Sequence, residues 1–215
     1  MKKPFITAVI PAYNEEKKLR EVVISTQKYV DEVIVVDDCS TDSTREVALE
    51  AGATVLSHKI TRGYINALKT GFTAAKGDII VTIDGDGQHN PNEIPKLLAP
   101  ILEDNADLVM GKRKVIPRAS EGLINRIVQL EVDCKDTGSG FRALKKELLD
   151  KMTIYGICTC GTFVLSAQEN HARIIEVPIS IKKREHGKSL TTTHIKQFFI
   201  VLYNLIRIKL KKYVS

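Results

Sequence analysis

The sequence predicts an α/β fold built on a mostly parallel sheet with helices on both faces. Short apolar runs rich in Val and Ile alternate along the chain with segments of helical periodicity, and glycine or proline separates several of them. Such alternation is typical of parallel sheets, because a crossover helix must join neighbouring parallel strands. The chain has 215 residues, of which 43% are hydrophobic and 27% charged, so it is long enough for one large domain with a sizeable core.

Five apolar runs are predicted to be strands, since each is short and rich in residues that favour strands. In chain order they are Phe5–Ile10, Glu32–Val36, Ala53–Leu56, Ile79–Ile83 and Leu108–Met110. Helices are predicted at Glu15 to about Tyr29, Asp42–Ala51, Tyr64–Ala75, from Pro91 onward, and Ala143–Met152. Asn14 is expected to cap the first helix, Gly52 and Gly77 to end the second and third, and Pro91 to start the fourth.

Polar segments follow three of the predicted strands. They are Pro11–Glu15, Asp37–Asp42 and Asp84–Asp86. In open α/β sheets ligands bind at the carboxyl ends of the strands, so these segments form the expected binding site. None of them contains the glycine-rich pattern of a dinucleotide-binding fold or of a P-loop, which argues against both classes of protein.

The segment IIVTIDGDGQH places two carboxylates, Asp84 and Asp86, on either side of one glycine at the end of a strand. Like charges in close range repel each other, so the pair predicts a cation beside it. A hard divalent ion such as Mg²⁺ or Mn²⁺ would allow this pocket to hold a nucleotide diphosphate. Gly85 and Gly87 would let the backbone approach closely. The simpler interpretation is a tight Asp-Gly turn.

The overall charge favours anionic partners such as nucleotides, phosphates or membrane headgroups, since the formal net charge is +6 and the pI is near 9.1. Nucleic acid is disfavoured, because only 6% of the residues are aromatic and no aromatic-basic stacking pattern occurs. Cys39, Cys134, Cys158 and Cys160 match neither a zinc site nor a disulfide scaffold, so reduced thiols in the cytoplasm are expected. The N-terminus reaches Pro11 before any long apolar segment, so no signal peptide is predicted.

Six blocks occur in order along the chain: VIPAYNEE, VVDDCSTDST, AAKGDIIVTIDGDGQHNPNEI, DLVMGKR, DTGSGFRAL and EVPISIKKREHGKS. Together they resemble the family 2 glycosyltransferases with the nucleotide-sugar-binding GT-A fold, and are most similar to the polyprenyl- and dolichyl-phosphate sugar transferases. The resemblance extends from residue 5 to about residue 190. We therefore expect a GT-A catalytic domain over residues 1–192, followed by a basic amphipathic helix over residues 193–215.

The resemblance implies a role for each matching residue. Near the base and ribose of the donor it places Pro11, Tyr13, Glu15, Val36 and Asp38. At the diphosphate and metal it places Asp84, Gly85, Asp86 and Gln88. The metal ligands among these would be Asp84, Asp86 and Gln88. Arg113 would reach phosphate and Arg184 would close over the diphosphate, so Asp86, Arg113 and Arg184 are the expected catalytic residues. The family usually has a lysine just after Gly-x-Ser; this chain reads GKSL instead, and Lys188 is the expected substitute.

Two readings of the acceptor remain open. A lipid monophosphate is already a nucleophile near neutral pH, since its second pKa is about 6, and it needs cationic capture. Candidates for that capture are Arg113, Arg118, Arg126 and Arg142, although Arg118 and Arg126 are also consistent with surface charge. A sugar hydroxyl would need a carboxylate base, and no clear candidate is recognised between residues 113 and 160. The resemblance places the Gly138–Gly140 loop beneath the acceptor; otherwise it is only a bend.

Several of these residues also have an interpretation that needs no ligand. Asp37 and Asp38 could cap the helix that follows them, because aspartate is favoured at helix starts. His89 and His186 could be solvated loop histidines.

The tail, residues 194–214, contains FFIVLYNLI followed by Arg207, Lys209, Lys211 and Lys212. Its nine mostly apolar residues are too few to span a bilayer, which takes about 20. Two readings remain open: a helix on the membrane surface whose basic end meets anionic headgroups, or a helix packed internally or in a dimer. Residues 121–130 also suit a short amphipathic helix, in a linker shorter than is usual in the family.

The leading hypothesis is a metal-dependent enzyme that moves a hexose from GDP-mannose or UDP-glucose to a polyprenyl or dolichyl phosphate with inversion, as the resemblance implies. It would act in the cytoplasm or peripherally on the cytoplasmic face of the membrane. The alternatives are a glycosyltransferase with a non-lipid glycan acceptor and a non-catalytic nucleotide-sugar-binding protein. A sugar-nucleotide pyrophosphorylase would be expected to carry a glycine- and arginine-rich loop where this chain has PAYNEE.

Overall fold

Seven strands form one sheet in the computed structural model, which describes residues 3–116, 118–182 and 193–214. The strands are β1 (Ile6–Ala12), β2 (Glu32–Asp37), β3 (Thr54–Ser57), β4 (Ile79–Thr82), β5 (Leu108–Arg113), β6 (Arg142–Lys145) and β7 (Ile174–Ile179). Their order across the sheet is β3-β2-β1-β4-β6-β5-β7. Among these strands β6 is antiparallel to both of its neighbours, and the other pairs are parallel. The predicted mostly parallel sheet is confirmed.

Helices cover both faces of the sheet. Those within the described ranges are α1 (Leu19–Thr26), α2 (Thr44–Glu50), α3 (Tyr64–Ala74), α4 (Ile94–Leu102), α5 (Ala119–Val128), α6 (Lys146–Leu149), α7 (Thr162–Glu169) and α8 (Thr193–Val214), and a 3₁₀ turn at Pro91–Glu93 precedes α4. One buried apolar cluster contains Leu68 and Phe72 of α3 with Leu165 of α7. The other contains Leu19 of α1 and Leu97 of α4. Alternate residues of the strands enter the two clusters, as expected for a sheet buried on both sides.

The segment predicted as a helix at Ala143–Met152 begins instead as a strand. Residues Arg142–Lys145 pair with both β4 and β5 before the chain makes the short helix α6. Ala143 and Leu144 are fully buried between these two strands. Periodicity alone cannot separate a short buried strand from a helix, and here pairing with two existing strands decides the conformation.

The first helix begins later than predicted. Turns follow Asn14, and α1 starts at Leu19 rather than at Glu15. Asn14 has a positive φ of 56°, and its side-chain oxygen accepts the backbone N–H of Thr41 at 2.8 Å. Asn14 therefore joins the loops after β1 and β2 instead of capping α1. Gly52 follows α2 with a φ of 82°, the left-handed helix end that glycine favours.

α8 packs against α5 and α7. Its buried residues Val201, Leu205 and Ile208 join the apolar cluster that contains Ile124 and Val128 of α5. The other side of α8 keeps large apolar side chains that are each more than half exposed: Ile195, Phe199, Tyr203, Ile206 and Leu210. Across the described ranges, no helix combines the length and the apolarity needed to cross a membrane. The predicted domain boundary at residue 192 stays a prediction.

Candidate active site

The loops after β1, β2 and β4 meet at the carboxyl edge of the sheet, because β1 lies between β2 and β4. The backbone N–H of Asn14 donates to the hydroxyl of Ser40 (2.9 Å), which joins the first two loops. Gly85 packs on the end of β1, since a Cβ there would make van der Waals contact with the carbonyl oxygen of Pro11 (3.5 Å) and the Cβ of Ala12 (3.6 Å). The three polar segments identified in the sequence therefore lie together, with Asp84 and Asp86 flanking this contact.

Asp84 is held by two side chains from other parts of the chain. Tyr64 Oη donates a hydrogen bond of 3.1 Å to Asp84 Oδ1, and His89 Nε2 lies 3.6 Å from Asp84 Oδ2. Burial alone would raise the pKa of the Asp84 carboxyl, but interactions with His89, Arg142 and Tyr64 outweigh it and lower the pKa. Burial and the charge of Asp84 raise the pKa of Tyr64, which stays a donor. Asp84 is therefore ionised at neutral pH, with 33% of its side chain exposed.

Asp86 and Gln88 belong to the same half-buried corner. Asp86 Oδ1 accepts the backbone N–H of Gln88 at 3.0 Å. Gln88 is tied to the segment after β7, because its Nε2 donates to the carbonyl of Lys182 (3.0 Å) and its own carbonyl accepts the N–H of Lys182 (2.9 Å). Arg184 and Lys188 follow this segment in sequence but lie outside the described residues, so their predicted contacts with the diphosphate stay predictions.

The corner formed by Asp84 and Asp86 fits a hard divalent ion. Carboxylate oxygens are preferred ligands of Mg²⁺ and Mn²⁺, and each ionised carboxylate can accept several partners at once. Mg²⁺ is commonly held by one or two carboxylates together with substrate phosphates and water. No group of three His, Cys, Asp or Glu side chains suited to a metal occurs among the residues that the structure describes. The assignment of Asp84, Asp86 and Gln88 as ligands stays a prediction.

Gly140 lies directly against the Asp84 carboxylate, since a Cβ at this position would come within 2.3 Å of Asp84 Oδ2. Gly140→Ala is therefore expected to displace Asp84 and to weaken Mn²⁺-dependent nucleotide binding by roughly 10- to 100-fold, the usual cost of disturbing a residue that orients a metal ligand. Thermal shift with Mn²⁺ and UDP or GDP measures this effect.

Gly122→Ala is the matched control for Gly140→Ala. Gly122 lies inside α5 and no atom would lie within 4 Å of a Cβ there, so alanine should be accepted without loss. Equal nucleotide binding by the two variants would contradict the assignment of Asp84 to the site.

Asp38 organises the start of α3. Its carboxylate accepts the backbone N–H groups of Arg62 (2.8 Å) and Gly63 (2.7 Å) and lies 2.6 Å from His58 Nδ1. The expectation that Asp38 caps the helix after it is wrong, because Asp38 binds the loop that leads into α3 rather than the first turn of α2. Asp37 accepts a backbone N–H within the loop that precedes α2. A contact between Asp38 and the donor base stays a prediction.

The other residues predicted near the base and ribose differ in exposure. Tyr13 is 49% exposed, Glu15 is half-buried and Pro11 is buried at the end of β1. Val36 is fully buried beneath α3, where its Cγ2 would lie 3.2 Å from a Cβ on Gly71. The Val36 side chain therefore belongs to the core, and the predicted place of Val36 beside the donor base stays a prediction.

Arg113 is bound to two carboxylates within the protein. Its Nε and Nη2 donate to the two oxygens of Asp136 (2.8 and 2.7 Å), and Nη2 also donates to Glu121 Oε2 (2.8 Å). The side chains of Arg113, Glu121 and Asp136 are only 7%, 5% and 0% exposed. Burial alone would lower the pKa of the Arg113 guanidinium, but the two carboxylates raise it. In this arrangement the Arg113 guanidinium faces internal anions, and its contact with a phosphate stays a prediction.

Two further candidates for acceptor capture lie around α5. Arg118 Nη1 donates to Glu121 Oε1 at 3.0 Å, and 31% of the Arg118 side chain is exposed. Arg126 is exposed on α5, consistent with surface charge. Arg118 thus joins the same cluster as Arg113, whereas Arg126 does not.

Arg142, the last of these candidates, is fully buried. Its Nη2 donates to Thr159 Oγ1 (2.8 Å) and to the carbonyl of Ser139, and its guanidinium lies 4.5 Å over the ring of Phe163. Its Nε and Nη1 make no hydrogen bond within the part of the chain that the structure describes. Arg142 therefore cannot touch an acceptor directly in this arrangement, and its positive charge acts on Asp84 through the protein interior.

Sequence reasoning missed four residues of the site: Tyr64, His89, Glu121 and Asp136. The reading of His89 as a solvated loop residue is wrong, because it is 5% exposed and packs 5.3 Å from the ring of Phe141. Its position three residues after Asp86 is the local signal for His89. Long-range packing brings in Tyr64, Glu121 and Asp136, and no local pattern marks them. His186 lies outside the described residues.

Comparison with known proteins identifies relatives over nearly the whole chain. The model of the family described as glycosyl transferase family 2 matches residues 7–164. The UDP-N-acetylglucosamine--dolichyl-phosphate N-acetylglucosaminyltransferase of Methanococcus voltae is 29% identical over 96% of this chain and 97% of that protein. The dolichol-phosphate mannosyltransferase of Pyrococcus furiosus is 29% identical over 94% of this chain and 64% of that protein.

A solved structure with the same fold is that of glucosyl-3-phosphoglycerate synthase from Mycobacterium tuberculosis in complex with Mn²⁺, uridine diphosphate and phosphoglyceric acid. It superposes with a TM-score of 0.77 at 25% identity and covers 95% of this chain and 78% of that chain. The family match runs from the second residue of β1 to beyond β6 and includes the corner formed by Asp84 and Asp86. The chain is therefore a glycosyltransferase with the GT-A fold, and it belongs to glycosyl transferase family 2.

Proposed function

We propose that the protein transfers a hexose from GDP-mannose or UDP-glucose to a polyprenyl or dolichyl phosphate, with inversion and with dependence on Mg²⁺ or Mn²⁺. One observation carries this proposal: a Cβ on Gly140 would meet Asp84, whereas a Cβ on Gly138 would lie 3.0 Å from Arg113 Nη2 and 3.1 Å from Glu121 Oε2. Two residues of chain span about 7 Å at most, so the acidic corner and the arginine cluster are neighbours across one loop. A donor diphosphate and an anionic acceptor would thus lie side by side.

At the donor end, the chain's own residues prepare a site for a departing diphosphate. Departure of the nucleoside diphosphate leaves negative charge on its β-phosphate. A divalent ion bound by Asp84 and Asp86 would offset this charge. Tyr64 and His89 hold the Asp84 carboxylate in one orientation, and the buried Arg142 adds positive potential behind it. Arg184 and Lys188 are proposed to cover the diphosphate from the segment after β7.

At the acceptor end, a phosphate monoester needs capture rather than deprotonation. Its dianion is already nucleophilic near neutral pH, so no carboxylate base is required. Arg113 and Arg118 lie within one cluster and provide guanidinium groups that suit a phosphate. The names of the M. voltae and P. furiosus relatives, which specify dolichyl-phosphate and dolichol-phosphate, support a lipid phosphate acceptor.

The exposed face of α8 suits a membrane surface. Ile195, Phe199, Tyr203, Ile206 and Leu210 recur every three or four residues, which places them on one side of the helix. Lys196, Lys209 and Lys211 are exposed on the same helix and complement anionic headgroups. We propose that α8 brings the enzyme to the cytoplasmic face of the membrane, where a lipid acceptor lies.

Phe199→Ser combined with Tyr203→Ser is expected to lower binding to phosphatidylglycerol-containing vesicles by about tenfold or more, because each aromatic side chain contributes about 1.5–3 kcal/mol when buried. Vesicle co-sedimentation measures the bound fraction. Ile60→Ser is the control, since Ile60 is 70% exposed and belongs to the loop before α3 rather than to α8. Docking through α8 would be contradicted if the double variant and Ile60→Ser lost vesicle binding equally, or if the double variant lost none.

The transfer reaction itself is tested with purified protein, Mn²⁺, labelled GDP-mannose or UDP-glucose, and a polyprenyl phosphate. Label from one donor is expected to appear in the organic phase and to disappear when the metal is chelated. Label on a plain sugar acceptor, with none on the lipid, would overturn the proposed acceptor.

A second candidate acceptor is a soluble phosphate ester. The structural similarity to a synthase solved with phosphoglyceric acid favours it, because the arginine cluster could bind either kind of phosphate. The same assay with 3-phosphoglycerate in place of the lipid separates the two candidates. Labelled phosphorylated product in the aqueous phase would favour the soluble acceptor.

A further inference from the structure

Glu121 bridges the two arginines that an anionic acceptor would need. Its Oε2 accepts from Arg113 Nη2 (2.8 Å) and its Oε1 accepts from Arg118 Nη1 (3.0 Å). The two arginines come from different segments, since Arg113 ends β5 and Arg118 precedes α5. A carboxylate shared by two guanidinium groups is bound in the manner expected of a phosphate at the same pair.

We propose that Glu121 is an internal anion that holds this arginine pair in the resting enzyme and that the phosphate of the acceptor displaces it. The identity of the acceptor rests on the proposed function. The displaceable anion site does not, because it is defined by contacts within the protein.

The charges of the cluster support displacement. Arg113 and Arg118 together carry +2, and Glu121 and Asp136 carry −2, so the resting cluster is neutral. When Glu121 leaves, the remaining three groups carry +1 and attract an anion. Asp136 still binds Nε, Nη2 and the main-chain N–H of Arg113, so the guanidinium keeps its orientation. A dianion replacing a monoanion gains additional attraction, which favours a phosphate monoester over a diester or a carboxylate.

The cluster has an exposed side from which an anion can enter. The Arg118 side chain is 31% exposed, whereas Glu121 is 5% and Arg113 is 7% exposed. An anion from solvent therefore meets Arg118 first. Glu121 lies in the first turn of α5, where the helix dipole favours a negative charge. The displaced carboxylate thus keeps a favourable environment outside the cluster.

The test is calorimetric binding of isopentenyl monophosphate, without any donor, to wild type and to Glu121→Gln. Glutamine preserves the size of the side chain and removes its charge. We expect Glu121→Gln to bind the monophosphate about tenfold tighter or more, since a competing charge-assisted contact is removed. We also expect a lower KM for polyprenyl phosphate. Unchanged or weaker binding would overturn the proposal and leave Glu121 a purely structural role.

Two further variants keep the test decisive. Arg118→Gln is expected to weaken monophosphate binding by about tenfold, because one of the two guanidinium groups is lost. This variant should fold, since Arg118 is partly exposed. Unchanged binding would contradict the proposal. Glu93→Gln is the matched control, because Glu93 is another buried carboxylate, bound to Ser180 and Lys96 outside the cluster. Its monophosphate affinity should equal that of the wild type.

The outcomes separate this proposal from the proposed function. Tighter binding by Glu121→Gln without any lipid labelling by the wild type would support the anion site and reject the lipid acceptor. Lipid labelling without tighter binding by Glu121→Gln would retain the function and reject displacement of Glu121.

Discussion

Asp86→Ala is expected to lower sugar transfer by about 10³-fold or more and to remove most of the metal-dependent stabilisation by nucleotide. The reason is that the proposed ion loses one of two carboxylates and no longer offsets the charge on the departing diphosphate. Initial rates measure the first effect. Thermal shift with UDP or GDP, with and without Mn²⁺, measures the second, because a ligand that binds only the folded state raises the Tm by mass action.

Asp150→Ala is the control for Asp86→Ala. Asp150 is an exposed carboxylate that follows α6 and pairs with Lys146, so its loss should leave both measurements unchanged. A nucleotide and metal response in Asp86→Ala that equals the wild type would count against the site at the end of β4.

Arg113→Met is expected to destabilise the fold by about 3–5 kcal/mol, the usual cost of removing one partner from a buried ion pair. Methionine retains the length of the side chain but leaves Asp136 and Glu121, at 0% and 5% exposure, without the guanidinium that neutralises them. Urea unfolding at neutral pH should show a lower midpoint with an unchanged slope, since the exposed surface is similar.

Arg173→Met is the control that separates the effect of burial on stability from the effect of losing any arginine that pairs with a carboxylate. Arg173 forms the same two-pronged contact, with Nε and Nη2 donating to Asp107 at 3.0 and 2.8 Å, but its side chain is 48% exposed. Arg173 also donates to Asp104 at 2.8 Å, but an exposed ion pair contributes only about 0–1 kcal/mol, so the loss should be smaller than that of Arg113→Met. If Arg113→Met kept wild-type stability and lost only transfer, Arg113 would be a ligand-binding residue alone, as the family resemblance first implied.

The parallel part of the sheet could be predicted because local sequence patterns mark its strands and the helices between them. Each of the first five strands is a short apolar run, and each is followed by a helix or a turn that sequence periodicity marks. The strand β6 was not predicted, because its conformation depends on long-range pairing that local sequence patterns do not show. Ala143 and Leu144 belong to the stretch FRALKKELL, whose spacing of apolar and charged residues is compatible with a helix, and only pairing with β4 and β5 makes its start a strand.

The candidate site also contains residues that local sequence signals identify and residues that only tertiary packing brings in. Asp84 and Asp86 were identifiable because a polar segment at the end of a parallel strand is a local signal for a ligand. Tyr64, which binds Asp84, and Glu121, which binds Arg113, come from segments that no spacing rule connects to the acidic pair. Arg113 shows the limit most clearly. A basic residue at a strand end indicates an anion, but whether that anion is a ligand or an internal carboxylate depends on tertiary packing.

The most direct measurement is anomalous diffraction at the manganese edge from crystals soaked with Mn²⁺ and UDP or GDP. We expect a peak about 2.0–2.4 Å from carboxylate oxygens of Asp86 and Asp84, with the phosphates of the nucleotide bound to the same ion. A manganese peak elsewhere, or nucleotide lodged away from the carboxyl ends of β1, β2 and β4, would contradict the proposed donor site.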